Sequence, residues 1–377
     1  MKTIVAILAF IVALGLFAGA CGGGGGETAS PATPTADPTP TATTGGGGTP
    51  VGGDDAATDP DDPSATPGPD PAPEFVSVLT GLGVDEAVLS RPAVVVKVDN
   101  SEDARPQIGF NQADVVVEII VEGITRLAGV FQSSDIDIVG PARSARASDP
   151  DIVANFGRPL MAFSGANDGV LGIIRQAAAE GKLVDARWDA VPGAYFRQGP
   201  NVAPHNLYVN IDSLRTELGA GAGTPPAMFS FRAPGESGSG TPSAGVSIVY
   251  TGGLDVSYAW DDALGGWARF QRGTAHTDAD GVQAAPSNVV ILFTEYLFGG
   301  GSPQAISTGE GEAWVLTDGG IVRGRWSRPD PAAPWQIVDD AGAPIGLTPG
   351  TTWLALPRPG EAVEMTPAEA DALLATR

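Results

Sequence analysis

The chain has 377 residues with 21 basic and 44 acidic side chains, a net charge of −23, and 42% hydrophobic against 17% charged residues, enough apolar material for a packed core and room for about two domains. Such acidity repels phosphate backbones and excludes general nucleic-acid binding. One cysteine and two histidines exclude a disulfide framework, a cysteine zinc site and a histidine metal cage.

The N-terminal segment reads as an export signal. Lys2 supplies a positive start, and Ile4 to Phe17 form an apolar run of fourteen residues, long enough for a signal core and short for a bilayer span. Ala18, Gly19 and Ala20 precede Cys21, which resembles a bacterial lipoprotein cleavage site in which residues 1–20 are removed and Cys21 is lipidated. Ala18 departs from the usual leucine, and ordinary secretion with a chance cysteine is the plainer alternative. Two acyl chains, such as palmitate, on one cysteine meet the requirement for stable membrane anchoring. The expected location is the outer face of the cytoplasmic membrane.

Residues 22–73 hold eleven prolines, eight acidic residues and no basic one, with Val51 as the sole large aliphatic. Burial in such a segment cannot offset chain entropy, so residues 21–74 are expected to form a disordered tether, with ends roughly 40 Å apart. Without Lys2 and those eight acids, the rest keeps 20 basic and 36 acidic residues, a net of −16. The acidity therefore belongs to the folded part as well.

Folding is expected from about Phe75. Pro92 to Asp99 reads as a buried strand. In Ala113 to Glu122, Asp114, Val116, Glu118, Ile120 and Glu122 alternate with Val115, Val117, Ile119 and Val121, giving one acidic and one apolar face. Gly123 supplies a turn, and Thr125 to Gln132 returns as the second arm of a hairpin; the pattern leaves open on which face Arg126 falls. Ser148-Asp149-Pro150 has the composition of a helix start with a capping side chain and proline in the first turn. Pro159 to Ser164 reads as a short strand, and Gly165-Ala166-Asn167 leads into a helix reaching about Glu180. Ile211 to Leu218 is a further short helix.

Gly219 to Ser243, rich in glycine and proline around the apolar patch Met228 to Phe231, reads as a connection. After it, Val246 to Tyr250, Val256 to Trp260, Trp267 to Arg272, Val289 to Phe293, Ala313 to Thr317 and Ile321 to Trp326 are short strands broken by turns. Thr366, Pro367 and Glu369 form a capping-box pattern for a last helix to Leu374. The expected fold class is α+β. A mixed α/β domain with a hairpin and helices (75–218) is followed by a linker (219–243), a smaller, mostly antiparallel β domain (244–357) and a helical tail (358–377).

Several motifs in order carry a family resemblance. The segments VVKVDNSEDARPQIGFNQADVVVEIIVEGITRLAGVFQ, VGPARSARASD and APHNLY resemble the N-terminal domain of the YerB-like bacterial lipoproteins. AHTDADGVQAAPSNVVILF and IVRGRWSRPDPAAPWQIVDDAGAPIGLTPGTTWLAL resemble that family's C-terminal domain. The resemblance spans roughly residues 75–357. It implies architecture and a cell-surface location, and no reaction.

Chemistry must come from the residues. Arg143, Ser144 and Arg146 place two permanently charged guanidiniums just before a helix start, an arrangement suited to holding an anion. The alternative is that both arginines form ion pairs with Asp114, Glu118 or Glu122 and simply fix the fold. In Ala203-Pro204-His205-Asn206, His205 offers a general base or an anion contact, with Asn206 beside it; packing or capping is the structural alternative. His276 and Asp278 are spaced for an orienting pair. Asp99, Asn100, Asp103 and Arg105 follow the first strand, where ligands gather in α/β folds. Asn100 and Arg105 are candidate ligand contacts, and Asp99 with Asp114 are candidate ligands for Mg²⁺. No EF-hand spacing, P-loop or Gly-x-Ser-x-Gly elbow occurs.

Two functional classes follow. One is a non-catalytic envelope module that binds a cell-wall polymer, a lipid-linked precursor or an envelope protein through the arginine loop. The other is a phosphotransferase or hydrolase acting on a pyrophosphate-linked glycan precursor. The order strand, Asp-Asn, Gln-Ala-Asp, hydrophobic strand, arginine pair loosely resembles LytR-CpsA-Psr cell-wall ligases, an analogy of motif order.

Overall fold

The computed structural model describes residues 73–377 apart from 234, 300 and 301. The expected signal peptide, the lipidation site Cys21 and the tether up to residue 72 lie outside the described residues. Among the described residues no helix is long and apolar enough to cross a membrane.

An 11-stranded mixed sheet forms the middle of the molecule. β1 (Val94–Val98), β2 (Val115–Ile120) and β3 (Thr125–Phe131) are buried along their whole lengths, as continuous Val/Ile-rich runs covered on both faces should be. β2 and β3 form the antiparallel hairpin, and β3 pairs antiparallel with β1. α1 (Asp149–Val153) leads to β4 (Leu160–Ala162), α2 (Asp168–Ala179) and β5 (Val184–Asp185). β1, β4 and β5 run parallel. The helix signals hold in detail at α2, where the Asn167 side chain accepts from the Val170 N–H. They differ at α1: Ser148 makes no side-chain cap, because its hydroxyl accepts from the Ala305 N–H at 2.9 Å instead. β6 (Tyr195–Arg197) and β7 (Leu207–Asn210) form a small hairpin, and α3 (Ile211–Leu218) follows.

The second half adds two sets of strands. β8 (Gly245–Tyr250), β9 (Leu254–Asp261), β10 (Gly266–Gln271) and β11 (Thr274–Ala275) form an antiparallel sheet. β12 (Asn288–Leu292), β13 (Gly309–Thr317), β14 (Gly320–Arg328) and β15 (Thr352–Leu356) extend the large sheet. β15 lies parallel between β12 and β2, so the sheet runs unbroken from one half into the other. β16 (Ala362–Glu364) closes the antiparallel sheet against β8. α4 (Pro367–Leu374) begins with the expected capping box of Thr366 and Glu369.

Register settles the open question about Arg126. It pairs with Ile119, while Glu118 pairs with Leu127; directly opposed residues share a face. Arg126 therefore lies on the side of Lys97 and Asp99, and Glu118 points to the other. The expected acidic face of β2 is buried too, with Asp114 and Glu118 shut from solvent. Each such carboxylate must find donors. Glu118 takes Arg269 of β10 at 2.8 Å, both side chains 0% exposed. On the opposite face Lys97 meets Asp149 of α1 at 2.7 Å.

Candidate functional site

A cleft of about 490 Å³ opens outside the carboxyl ends of β1 and β4, where α/β sheets collect ligands. Its lining includes Arg143, Ser144, Arg146, Ser164, Asn167, Trp188, Arg197 and Glu122. Backbone contacts explain why the arginine loop sits there. The Arg143 N–H donates to Lys97 O at 2.7 Å, the Asp99 N–H to Pro141 O at 2.9 Å, and the Ser164 N–H to Arg143 O at 3.1 Å. The loop is thus stitched between the ends of two parallel strands. Gly140 lets it enter: its φ is +155°, and a Cβ there would stand 2.9 Å from the Tyr208 ring and 3.0 Å from Leu207 O.

The residue that organises the site is Asp99. Its Oδ1 accepts from Arg126 Nη1 at 2.7 Å and from the Ser101 N–H at 3.1 Å. Its Oδ2 lies 2.8 Å from His205 Nδ1 and 3.1 Å from Arg143 Nε. Burial alone would raise the Asp99 pKa; Arg126, the Ser101 N–H, His205 and Arg143 outweigh it and hold the carboxyl below its usual range. Arg126 is pulled down to about 10 by its own burial, which Asp99 opposes.

The two arginines of the loop differ. Arg143 reaches Asp99 only through Nε, its side chain is 25% exposed, and its Nη groups have no partner among the described residues. Arg146 is clamped on Glu122, with Nε at 2.9 Å from Oε1 and Nη2 at 2.6 Å from Oε2, yet remains 16% exposed. The expected structural alternative therefore holds for Arg146 with Glu122. Arg143 pairs with Asp99, a carboxylate outside the expected set, and neither guanidinium is shut away. Three guanidiniums against one carboxylate line the cleft.

His205 is oriented by Asp99, with Ser101 Oγ at 3.2 Å from the same Nδ1; its other nitrogen, Nε2, lies 4.0 Å from the exposed Asp103 carboxylate and makes no hydrogen bond among the described residues. Pro204 and Leu207, on either side of it, line the cleft, whereas His205 and Asn206 themselves lie behind the lining. Asn206 braces the rim, accepting from Arg197 Nη1 at 2.7 Å and donating to Asn201 O at 2.9 Å.

The remaining candidates do not converge on the cleft. Asn100 is buried and donates to Thr125 Oγ1 at 2.7 Å. Arg105 turns inward, its Nε and Nη2 buried without partners, and burial lowers its pKa to about 10. Asp99 and Asp114 cannot share one ion. They flank opposite ends of the parallel strands β1 and β2, about five residues apart in register, or roughly 16 Å. Asp114 is occupied by the N–H groups of Gln132 at 2.5 Å and Ser133 at 2.9 Å and by the Ser133 hydroxyl. Among the described residues no group of three or more His, Asp or Glu side chains is placed to hold a metal. His276 and Asp278 are not a pair either. His276 is fully buried, stacked on Phe110 at 4.7 Å, accepts from Arg269 through Nδ1 and bonds Gln107 Oε1 through Nε2 at 3.1 Å. Asp278 accepts from the Gly109 N–H at 3.0 Å.

Sequence reasoning missed Asp99 as organiser, and missed Trp188 and Arg197. Arg197 sits 5.0 Å from the Trp188 ring centroid. Neither residue lies in a periodic pattern; a tryptophan between Arg187 and Asp189 in a polar stretch was the one available signal.

Comparison with known proteins matches the chain to "Protein of unknown function (DUF3048) N-terminal domain" over residues 79–222 and to the corresponding C-terminal domain over residues 246–354. It is 33% identical over 148 residues to a protein of Bacillus subtilis (strain 168) named "Putative lipoprotein YerB". That match covers 39% of this chain and 44% of the relative, so it spans less than half of the relative's length. The crystal structure of the YerB protein from Bacillus subtilis has the same fold, with a TM-score of 0.68 and 24% identity over 78% of this chain and 100% of that one. Both domain models match in the order that the arginine loop, the APHNLY segment and the second-half motifs predict, and the chain belongs to this YerB-like, two-domain family of unknown function.

Proposed function

We propose that the protein is a lipid-anchored, extracytoplasmic binding module that holds a phosphate- or carboxylate-bearing ligand of the cell envelope in the arginine cleft. Cys21 would carry the anchor on the outer face of the cytoplasmic membrane, and the relative's name supports that location. The ligand would come from a cell-wall polymer, a lipid-linked precursor or an envelope protein. The observation that carries the reading is Arg143: a guanidinium whose Nη groups have no partner among the described residues, held from behind by a buried carboxylate and presented to a cleft in a domain of net negative charge. Fixed, partly desolvated guanidiniums bind anions far better than flexible surface ones.

Calorimetric titration of the purified protein with phosphate and pyrophosphate tests it. Arg143→Ala should weaken binding at least tenfold, about 1.4 kcal/mol, while Arg158→Ala, outside the cleft lining, should leave it unchanged. Cys21→Ser should move the protein from the membrane to the soluble fraction; unchanged membrane association would sink the anchor. The Asp99–His205 pair supports the second reading, a hydrolase or phosphotransferase, because an oriented imidazole with an uncommitted Nε2 is the geometry of a general base. Turnover of a polyprenyl-diphosphate analogue, with and without Mg²⁺, that disappears in His205→Gln while binding persists would select that reading.

A further inference from the structure

We propose that the anion of this cleft is carried on a sugar ring, so that the ligand is an acidic carbohydrate, a pyranose bearing phosphate or carboxylate. The inference rests on the anion-binding reading and specifies its ligand. A bare inorganic anion has no use for much of what lines the cleft. Trp188 is the sole aromatic residue there and keeps 37% of its surface exposed, which is unusual for a large apolar ring. Its backbone N–H donates to Phe163 O at 3.1 Å, which holds the main chain, and the Arg197 guanidinium lies over one face of the ring, 5.0 Å from the centroid, so the sugar would take the other face or the edge. An exposed indole, electron-rich on its face, suits the weakly positive C–H surface of a pyranose.

The neutral polar groups fit the same ligand. Ser144 and Ser164 hydroxyls and the Asn167 amide nitrogen border the cleft and have no side-chain partner among the described residues; Asn167 spends only its oxygen, on the Val170 N–H at 3.0 Å. Short hydroxyl and amide groups that both donate and accept match sugar hydroxyls, whereas the acid group falls to Arg143. Gly165, at φ +135° with nothing within 4 Å of its missing Cβ, leaves the floor open between these groups and Trp188. The volume of about 490 Å³ lies within the range of small-molecule sites and exceeds what one phosphate ion fills.

The test is a calorimetric series on the purified protein with inorganic phosphate, N-acetylglucosamine 1-phosphate, acetate, glucuronate and neutral N-acetylglucosamine. Each sugar acid, or whichever acid type the site accepts, should bind about tenfold tighter than its bare anion, and the neutral sugar should bind weakly. Trp188→Ala should erase the sugar's advantage and leave phosphate affinity within twofold, with Trp188→Phe retaining part of it. Equal affinity for phosphate and the sugar phosphate, or a Trp188→Ala loss shared equally by both, would overturn the sugar inference and leave the anion reading intact. Absence of binding by every anion would overturn both.

Discussion

Asp99 holds the Arg126, Ser101 N–H and His205 contacts and an ion-pair contact from Arg143 on two oxygens, and a residue so placed acts on stability and on the site together. Its folded pKa is depressed, so its contribution is present above the unfolded carboxyl pKa of about 3.9 and is lost as the pH falls through the lower folded value. Asp99→Asn should cost about 3–5 kcal/mol at pH 7, as for a buried ion pair that loses one partner, and less below pH 4; urea unfolding at pH 7 and pH 3.5 reads both. His276 has the opposite chemistry. Burial, Arg269 and Arg105 push its pKa well below the usual imidazole value, so it is neutral when folded, while the unfolded chain takes up a proton as the pH drops past about 6.5. Stability should therefore fall on acidification through pH 6.5 to 5, with a slope approaching 1.4 kcal/mol per unit. His276→Gln should flatten that slope; an unchanged slope would place the titration elsewhere.

At the scale of elements, the Lys97–Asp149 contact joins the carboxyl end of β1 to the first turn of α1. Asp149 also accepts the Arg146 N–H at 2.7 Å, so one buried pair ties strand, helix and arginine loop. Lys97→Met should leave the buried Asp149 carboxyl without its cation, costing about 3–5 kcal/mol, and should weaken phosphate binding as the loop loosens; urea unfolding and anion titration of one variant measure both effects. Much of this layer was legible in the sequence. The hairpin at Gly123, the strand ends before Asp99 and Gly165, the α2 start at Asn167 and the α4 capping box are all local signals, set by turn chemistry and side-chain period. What stayed hidden depends on register and distant contact. One residue of register decides that Arg126 meets Asp99 rather than Glu118, and Asp99 meets His205 only because segments 106 residues apart fold together. Ser148 had the composition of a cap, but tertiary contact with Ala305 claimed its hydroxyl.

At the scale of the molecule, the two family models divide the chain at residues 222 and 246, yet β15 of the second half is a central strand of the sheet that begins in the first, paired to β2 over Val115 to Ile119. Without it β2 would become a long, flat, apolar edge, which invites aggregation. The face of that sheet carrying Glu118 is covered by Arg269, Tyr258 and His276 from the other half: Arg269 bonds Glu118 at 2.8 Å and lies 4.7 Å from the Trp353 ring centroid of β15, and Thr125 completes Glu118 at 2.6 Å. A carboxylate and a guanidinium at 0% exposure cannot be tolerated singly, so each half, cut free, would expose a charge that it was built to bury. Residues 73–240 and 241–377 should therefore each express as insoluble or unfolded chains, and should give a folded, soluble pair when produced together. The intact protein should lose near- and far-ultraviolet circular dichroism in one coincident urea transition. Cooperative unfolding of either isolated half would contradict this. Arg269→Leu supplies the finer test: alone it should cost about 3–5 kcal/mol by stranding Glu118, and paired with Glu118→Leu it should recover part of that loss, because an apolar pair in the same space removes the unpaired charge.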